Sequence, residues 1–376
     1  MKVLHVIPTF APAWLHGGPM QSVYDLCLNL QNKKCEIKIL TTDSNGPNEI
    51  LDLKKNQEFT SEGGLRVCYC KRVMYLTVSP VLLKKLPRYI SWADIVHLTA
   101  VYSFPTIPTL IICKMMKKPV VWSPRGALQR WEGTTHKTLK YIWERFCRFA
   151  LPNEMRIHVT SEEEKRESTA RIPMVKAIVI PNGINIPENV KVRVRDGVFR
   201  IIFIGRLHPK KGIENLLEAV NLLGYESSVP WLLTIAGSGD YEYEVFLKDE
   251  IKKHKYQKAI KMIGQVEGNE KHNLFESADV MVMPSHTENY GMVAAEALSY
   301  GVPVIASKGS PWERINEIGC GMWVDNEPAS LARSFNHIMD MPVREMGERG
   351  RIWMKDEFGW PERADDMLNV YKELVE

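Results

Sequence analysis

The chain is predicted to be an α/β protein made of two successive domains, each with a doubly wound parallel sheet, and three observations carry that prediction. Short apolar runs alternate with amphipathic stretches along the whole length, which is the pattern of parallel strands joined by crossover helices. The alternation stops at "PNGINIPENVKVRVRDG", residues 181–197, where Pro, Asn and Gly cluster, and it starts again at "FRIIFIG". The 376 residues exceed what a single hydrophobic core usually supports.

Taken in order, the first half offers strands at "KVLHVIP", "EIKILTT", "LRVCYC", "DIVHLTA", "PVVWS", "RIHVTS" and "AIVIPN", with helical stretches between them. The second half offers "FRIIFIG", "WLLTIAG", "IKMIG", "DVMVMPS" and "PVIAS", separated by helices such as "GIENLLEAVNLLG" and "GNEKHNLFESA". Expected domains are therefore 1–185 and 186–360, followed by a C-terminal helix, 361–376, for which the N-terminal domain is a packing partner. Both halves open with a strand, a glycine-bearing loop and a helix. That geometry suits an anion, because the first backbone N–H groups of a helix are unpaired and its dipole is positive there.

Composition narrows the class. Apolar residues at 45% and charged residues at 25% fit a folded protein and not a disordered one. Seven cysteines form no pair of CxxC motifs, so reduced thiols and a cytoplasmic location are expected. The apolar run after Met1 is cut by Pro8 and is too short for a signal peptide, and no run reaches the roughly twenty residues of a membrane span. The net charge of +4 conceals segregation: residues 1–185 hold 26 Lys+Arg against 15 Asp+Glu, and residues 186–376 hold 23 against 30. A basic first half points to an anionic partner: nucleic acid, a phosphorylated substrate or an anionic membrane.

Among the motifs, Gly17 and Gly18 precede the first helix, where glycine equally serves a plain turn. In "GRLHPKKG", Gly205 turns the chain while Arg206 and Lys211 flank it, an arrangement that reaches a phosphate pair or leaves a solvated basic loop. "AGSGDYEYE" begins like a dinucleotide fingerprint but has Glu242 where the third glycine belongs, and no GxxxxGK[ST] occurs. In "PSHTENYGMVAAEALSYGVPVIAS", a strand ends in a loop carrying Glu288 and a helix carrying Glu296. Ligands of parallel sheets bind at the carboxyl ends of strands. There Glu288 can accept from sugar hydroxyls, the N–H groups of Asn289, Tyr290, Gly291, Met292 and Val293 face an anion, and Glu296 suits a ribose diol.

These segments, with "IPNGI" and an early "HGG", resemble the retaining nucleotide-sugar glycosyltransferases of glycosyltransferase family 4, of the bacterial envelope or exopolysaccharide type. The resemblance implies the GT-B fold, two Rossmann-like domains facing a central cleft, with the acceptor on the first and the donor on the second. It puts Glu288 on the donor sugar, Glu296 on the ribose, and Arg206 and Lys211 on the diphosphate, and it makes Arg206, Lys211 and Glu288 the catalytic set. The nucleobase is expected against "MIGQV", at Gly264, Gln265 and Val266. It implies no cofactor beyond the substrate, no bound metal and no nucleic acid. The partners expected are a UDP- or GDP-sugar and a saccharide or lipid-linked saccharide acceptor.

One departure stands out. Where many relatives carry a histidine in the first domain, this chain reads "SPRGAL", with Arg125 in that place as a binder of phosphate or acceptor, or as a loop arginine paired with an acid. His136 lies near, either exposed or replacing the missing imidazole. A nucleotide-sugar 2-epimerase and a non-catalytic nucleotide-sugar binder stay open beside the transferase, although the acid-poor 100–136 segment disfavours the epimerase. Finally, in "HKTLKYIWERFCRFALP", Leu139, Ile142, Trp143, Phe146 and Phe149 recur at helical spacing with Lys137, Lys140, Arg145 and Arg148 around them. This is either a core helix with a solvated back or a peripheral attachment to the inner membrane face, and the latter is the expectation.

Overall fold

A computed structural model describes residues 1–13, 18–46, 49–61, 63–73, 77–130, 136–191, 196–226 and 229–376. The chain divides into two compact units, Met1–Gly183 together with Trp360–Glu376, and Ile184–Gly359.

In the first unit the order is β1 (Lys2–Val6), α1 (Gly18–Asn32), β2 (Glu36–Thr42), β3 (Glu58–Thr60), β4 (Arg66–Cys70), α2 (Pro80–Trp92), β5 (Ile95–Thr99) and α3 (Thr106–Met115). There follow β6 (Val120–Ser123), α4 (Lys137–Ala150), β7 (Met155–Val159), α5 (Glu162–Arg171) and β8 (Lys176–Val179). The sheet runs β3-β4-β2-β1-β5-β6-β7-β8, parallel except for β3. Strands β5 and β6 are buried along their whole length, as expected when helices cover both faces of a sheet. One apolar cluster holds Leu4, Val96 and Trp122; the other holds Val3, Ile39 and Val121.

The second unit contains β9 (Phe199–Ile204), α6 (Ile213–Glu226), β10 (Trp231–Ala236), α7 (Tyr241–Lys253), β11 (Ile260–Gly264), α8 (Gly268–Ser277), β12 (Val280–Met283) and α9 (Met292–Ser299). It continues through β13 (Val304–Ser307), α10 (Arg314–Ile318), β14 (Gly321–Val324), α11 (Pro328–Met339) and α12 (Val343–Glu357). Helix α13 (Trp360–Val375) belongs to the first unit and packs on α1 and β5. The second sheet is wholly parallel in the order β11-β10-β9-β12-β13-β14. From β9 the chain winds outward to β11, then returns beside β9 as β12 and winds the other way. The loops after β9 and β12 therefore flank the point where the winding reverses, which is where such sheets leave a crevice.

Two strands fall outside the sequence expectation. Strand β3 has three residues, all at least half-exposed, and no apolar run to mark it. Strand β14 begins in "GCGMWV", which reads as a turn; Gly321 is required there because a Cβ would lie 2.0 Å from the Val304 carbonyl oxygen of the neighbouring strand.

Candidate functional site

Backbone packing builds the floor of the site at the carboxyl end of the second sheet. Gly205 N–H donates to Ala236 O at 3.0 Å and Leu207 N–H to Ser238 O at 2.8 Å, so the loop after β9 is tied to the loop after β10. A Cβ on Gly237 would stand 1.8 Å from Gly205 O, and one on Gly239 would stand 2.0 Å from Leu207 O. The two glycines of "GSG" thus serve close backbone approach, which explains a partial dinucleotide fingerprint without a dinucleotide.

On the other side, a single turn of 3₁₀ helix, Pro209–Lys211, ends at Gly212 in the left-handed region at φ 64°. A Cβ at Gly212 would lie 2.1 Å from Pro284 O, and His286 N–H donates to Lys210 O at 2.9 Å. These contacts bring "PKKG" against "PSHTE". As a result Lys211 Nζ pairs with the Glu288 carboxylate, with the side chains 24% and 15% exposed. Ser285 Oγ donates to the same carboxylate at 3.3 Å, and Glu288 N–H is held by Gly309 O at 2.7 Å.

Gly291, at φ 78°, caps α9 from a left-handed turn, and Met292 and Val293 form its half-buried first residues. Asn289 is half-buried in the loop before it. The Tyr290 side chain is buried against Trp312 and Phe358, and its carbonyl oxygen accepts from Trp312 Nε1 at 2.5 Å. Glu296, on the second turn of α9, pairs with Lys271 Nζ of α8 at 2.7 Å. Sequence reasoning missed Lys271. Its position one helical turn before the buried Phe275 marks a half-buried flank, but nothing local marks its partner.

Gly264 ends β11, and Gln265 and Val266 follow it at the same end of the sheet. Gly264 O accepts from Gly237 N–H at 2.7 Å, and Gln265 Oε1 accepts from Ser238 Oγ at 3.0 Å. Arg206 is exposed and forms no ion pair among the described residues. The imidazole of His208 is held below its usual pKa by partial burial, then by the Arg206 charge, with Asp240 opposing and Lys210 and Lys211 adding to the effect. Arg206, Lys210 and Lys211 thus act together on one imidazole while Lys211 pairs with Glu288, an arrangement suited to an anionic ligand that exchanges with that carboxylate.

In the first unit, Gly17 lies outside the described residues and Gly18 begins α1. Arg125, after β6, stands at φ 54° and donates to Asn182 Oδ1 at 2.5 Å, while its buried Nε has no partner. Burial lowers its pKa, and the nearby Glu164 charge opposes that shift. Glu164 itself is taken by Gly126 N–H and Thr160 N–H and does not pair with the guanidinium directly. His136 is exposed, in a left-handed conformation just ahead of α4.

Next to Arg125 runs a buried relay that no sequence signal announced. His158 Nε2 lies 2.9 Å from Ile180 O, a pure acceptor, so that nitrogen carries the proton. His158 Nδ1 then accepts from Ser123 Oγ at 2.7 Å, Ser123 accepts from His97 Nε2 at 2.7 Å, and His97 Nδ1 accepts from Tyr371 of α13 at 2.5 Å. Every donor in the chain is used. His5 stacks on His97 at 4.7 Å with neither ring nitrogen bonded. Burial, with Arg125 adding to it, pulls both His5 and His158 down to about 3, and all three imidazoles are neutral.

The family described as "Glycosyltransferase Family 4" matches residues 16–187, and "Glycosyl transferases group 1" matches residues 186–353. The chain is 31% identical over 242 residues to an uncharacterised glycosyltransferase of Methanocaldococcus jannaschii, covering 58% of this chain and 60% of that protein. It is 28% identical over 204 residues to the glycogen synthase of Mycobacterium tuberculosis, covering 53% and 49%. These matches span about half to three fifths of the relatives' lengths. Among solved structures, sucrose-phosphate synthase from Thermosynechococcus elongatus superposes with a TM-score of 0.77 at 18% identity, over 99% of this chain and 98% of that one. Anabaena HepE in complex with UDP and glucose superposes with a TM-score of 0.76 at 14% identity, over 99% and 100%. With two family domains in series across residues 16–353 and this architecture, the chain belongs to the family 4-type GT-B glycosyltransferases.

Proposed function

We propose that the protein moves a hexose-type sugar from a UDP- or GDP-linked donor to a hydroxyl of a saccharide or lipid-linked saccharide during polysaccharide synthesis, with retention of anomeric configuration. The observation that carries this reading is the meeting of Lys211 with Glu288 at the winding reversal of the second sheet, with the Lys271–Glu296 pair on the helix that follows. Arrival of a diphosphate draws Lys211 and Arg206 to the phosphates. Glu288 is then released to the sugar hydroxyls, while Glu296, aimed by Lys271, accepts from the ribose hydroxyls. The bond from the anomeric carbon to the phosphate oxygen breaks, the acceptor oxygen bonds that carbon from the same face, and its proton passes to the departing phosphate oxygen. Stabilising the growing diphosphate charge with preplaced cations and helix N–H groups is the main catalytic contribution.

The same cations supply the charge neutralisation that a divalent ion gives elsewhere, so we propose that transfer proceeds without added metal. Anabaena HepE, whose structure holds UDP and glucose, favours UDP as the first donor to try. The seven unpaired buried thiols fit a reducing compartment. The epimerase alternative loses ground because His5, His97 and His158 are neutral and buried in the strand core, and both nitrogens of His97 and of His158 are already bonded. The test is incubation with a panel of nucleotide sugars, with and without saccharide acceptors, after exhaustive chelation. Acceptor-dependent release of nucleoside diphosphate with a retained product linkage is expected; release of a 2-epimer, or binding without turnover, overturns the reading.

A further inference from the structure

Helix α4 is folded with its apolar stripe outward. Its buried residues are Glu144, Cys147 and Ala150, whereas Leu139, Ile142, Phe146 and Phe149 are 65%, 44%, 58% and 67% exposed. Those four fall on one face at spacings of three, four and three residues. Trp143, which the periodicity groups with them, turns inward and donates from Nε1 to Val101 O at 2.8 Å. The outward stripe continues onto α3, where Ile111 and Met115 are also exposed, and Lys114 Nζ donates to Phe149 O at 2.8 Å to hold the two helices together at that end.

Burying the acid has a direct electrostatic effect. Glu144 is taken by Arg130 and by the Tyr102 hydroxyl and is withdrawn from the surface. All charged side chains left exposed on α4 and at the end of α3 are cations: Lys137, Arg145, Lys114 and Lys117. An ordinary surface helix buries its apolar stripe and exposes its charges of both signs; α4 keeps a stripe of large apolar groups beside a purely basic flank. Among the described residues no helix is long and apolar enough to cross a membrane.

We infer that this face lies on an anionic lipid surface, with Leu139, Phe146, Phe149 and Met115 at the boundary of headgroups and acyl chains and the cations among the headgroups. A second copy fits poorly, since a two-fold contact through this face sets the same cations against each other. A polyanion alone leaves the apolar stripe without a role. The inference goes beyond the sugar-transfer reading and does not depend on it.

The experiment is co-sedimentation of the full chain with vesicles of phosphatidylcholine alone or mixed with phosphatidylglycerol, across a salt series. Binding to the mixed vesicles at low salt is expected to exceed binding to neutral ones by about tenfold or more and to fall with added salt. The L139S/F146S/F149S variant loses that binding but keeps its melting temperature, because the substituted side chains already face solvent. The K137E/R145E variant loses the preference for anionic lipid. Equal binding to both vesicle types, binding undiminished by the triple substitution, full displacement by soluble polyglutamate, or a wild-type dimer that the triple substitution turns into a monomer each overturns the inference.

Discussion

Lys271 on α8 and Glu296 on α9 meet at 2.7 Å across two helices, with side chains 28% and 25% exposed, so the carboxylate proposed for the ribose has an ammonium partner of its own. A half-buried charge-assisted hydrogen bond of this kind contributes about 1.5–3 kcal/mol. Lys271 accordingly acts as a positioning residue. Lys271→Met is expected to raise the donor KM by about tenfold with kcat within a factor of about two or three, since aim is lost and chemistry is untouched. Glu296→Ala is expected to weaken nucleoside diphosphate binding as well. Steady-state kinetics with titration calorimetry separates the two, and a Lys271→Met defect confined to kcat argues against the positioning role.

Glu288 and Lys211 present a different balance, because each is the other's ion-pair partner and both are proposed to face the donor. Lys211→Ala is expected to lower kcat by about two to three powers of ten and to weaken nucleoside diphosphate binding. Glu288→Gln removes the competing carboxylate, so diphosphate affinity is expected to hold or rise while transfer falls by at least about a hundredfold. Parallel loss of affinity in both variants means the pair is a fixed strut and not an exchange partner.

The contact at Gly212 admits no side chain. With φ at 64° and only 2.1 Å between a built Cβ and Pro284 O, Gly212→Ala pushes the loop of Lys211 away from the loop of Glu288. Transfer is expected to drop by about a hundredfold, the cost of misplacing aligned groups by about 1 Å. The core of the second unit stays folded, as circular dichroism and an unchanged α-helical signal will show.

Acid sensitivity follows from the buried imidazoles. His5 and His158 titrate near 3 in the folded chain and near 6.5 when unfolded, so below 6.5 the unfolded state binds more protons and stability falls with pH. The loss is absent above about 6.5 and grows below it by about 1.4 kcal/mol per histidine per pH unit. Urea midpoints between pH 7 and pH 4 measure it, and His5→Leu is expected to flatten the slope. Tyr371→Phe, which strips His97 Nδ1 of its donor, is expected to cost about 1–3 kcal/mol at every pH and to loosen α13 first in hydrogen exchange.

How much of this was legible depends on whether a feature is local. Strands such as β5 and β12 declare themselves by apolar runs, and the spacing from Glu288 to Glu296 marks a loop followed by a helix. The ion pairs do not, because Lys211 and Glu288 are 77 positions apart and Lys271 and Glu296 are 25 apart, and only the sheet order brings them together. The sequence marks the backbone N–H of Tyr290 as part of an anion-facing loop but says nothing of its ring, which packs into an aromatic cluster completed by Trp312 and Phe358 from later elements. Periodicity located α4 correctly but could not orient it, since the residue that decides its inner face, Glu144, becomes acceptable there only through Arg130 and Tyr102.

The floor of the second-unit crevice is main chain pressed on main chain at Gly205, Gly237 and Gly239. Its contour therefore does not depend on which side chains stand around the rim. Replacing the side chain of Ser238 or Gln265 removes no main-chain contact of that floor, so the rim can vary one residue at a time above an unchanged contour. The glycines tolerate no such drift: a methyl group at Gly237 or Gly239 collides with a carbonyl. The crevice floor is thereby set by the main chain, and variation in the side chains around it leaves that floor in place.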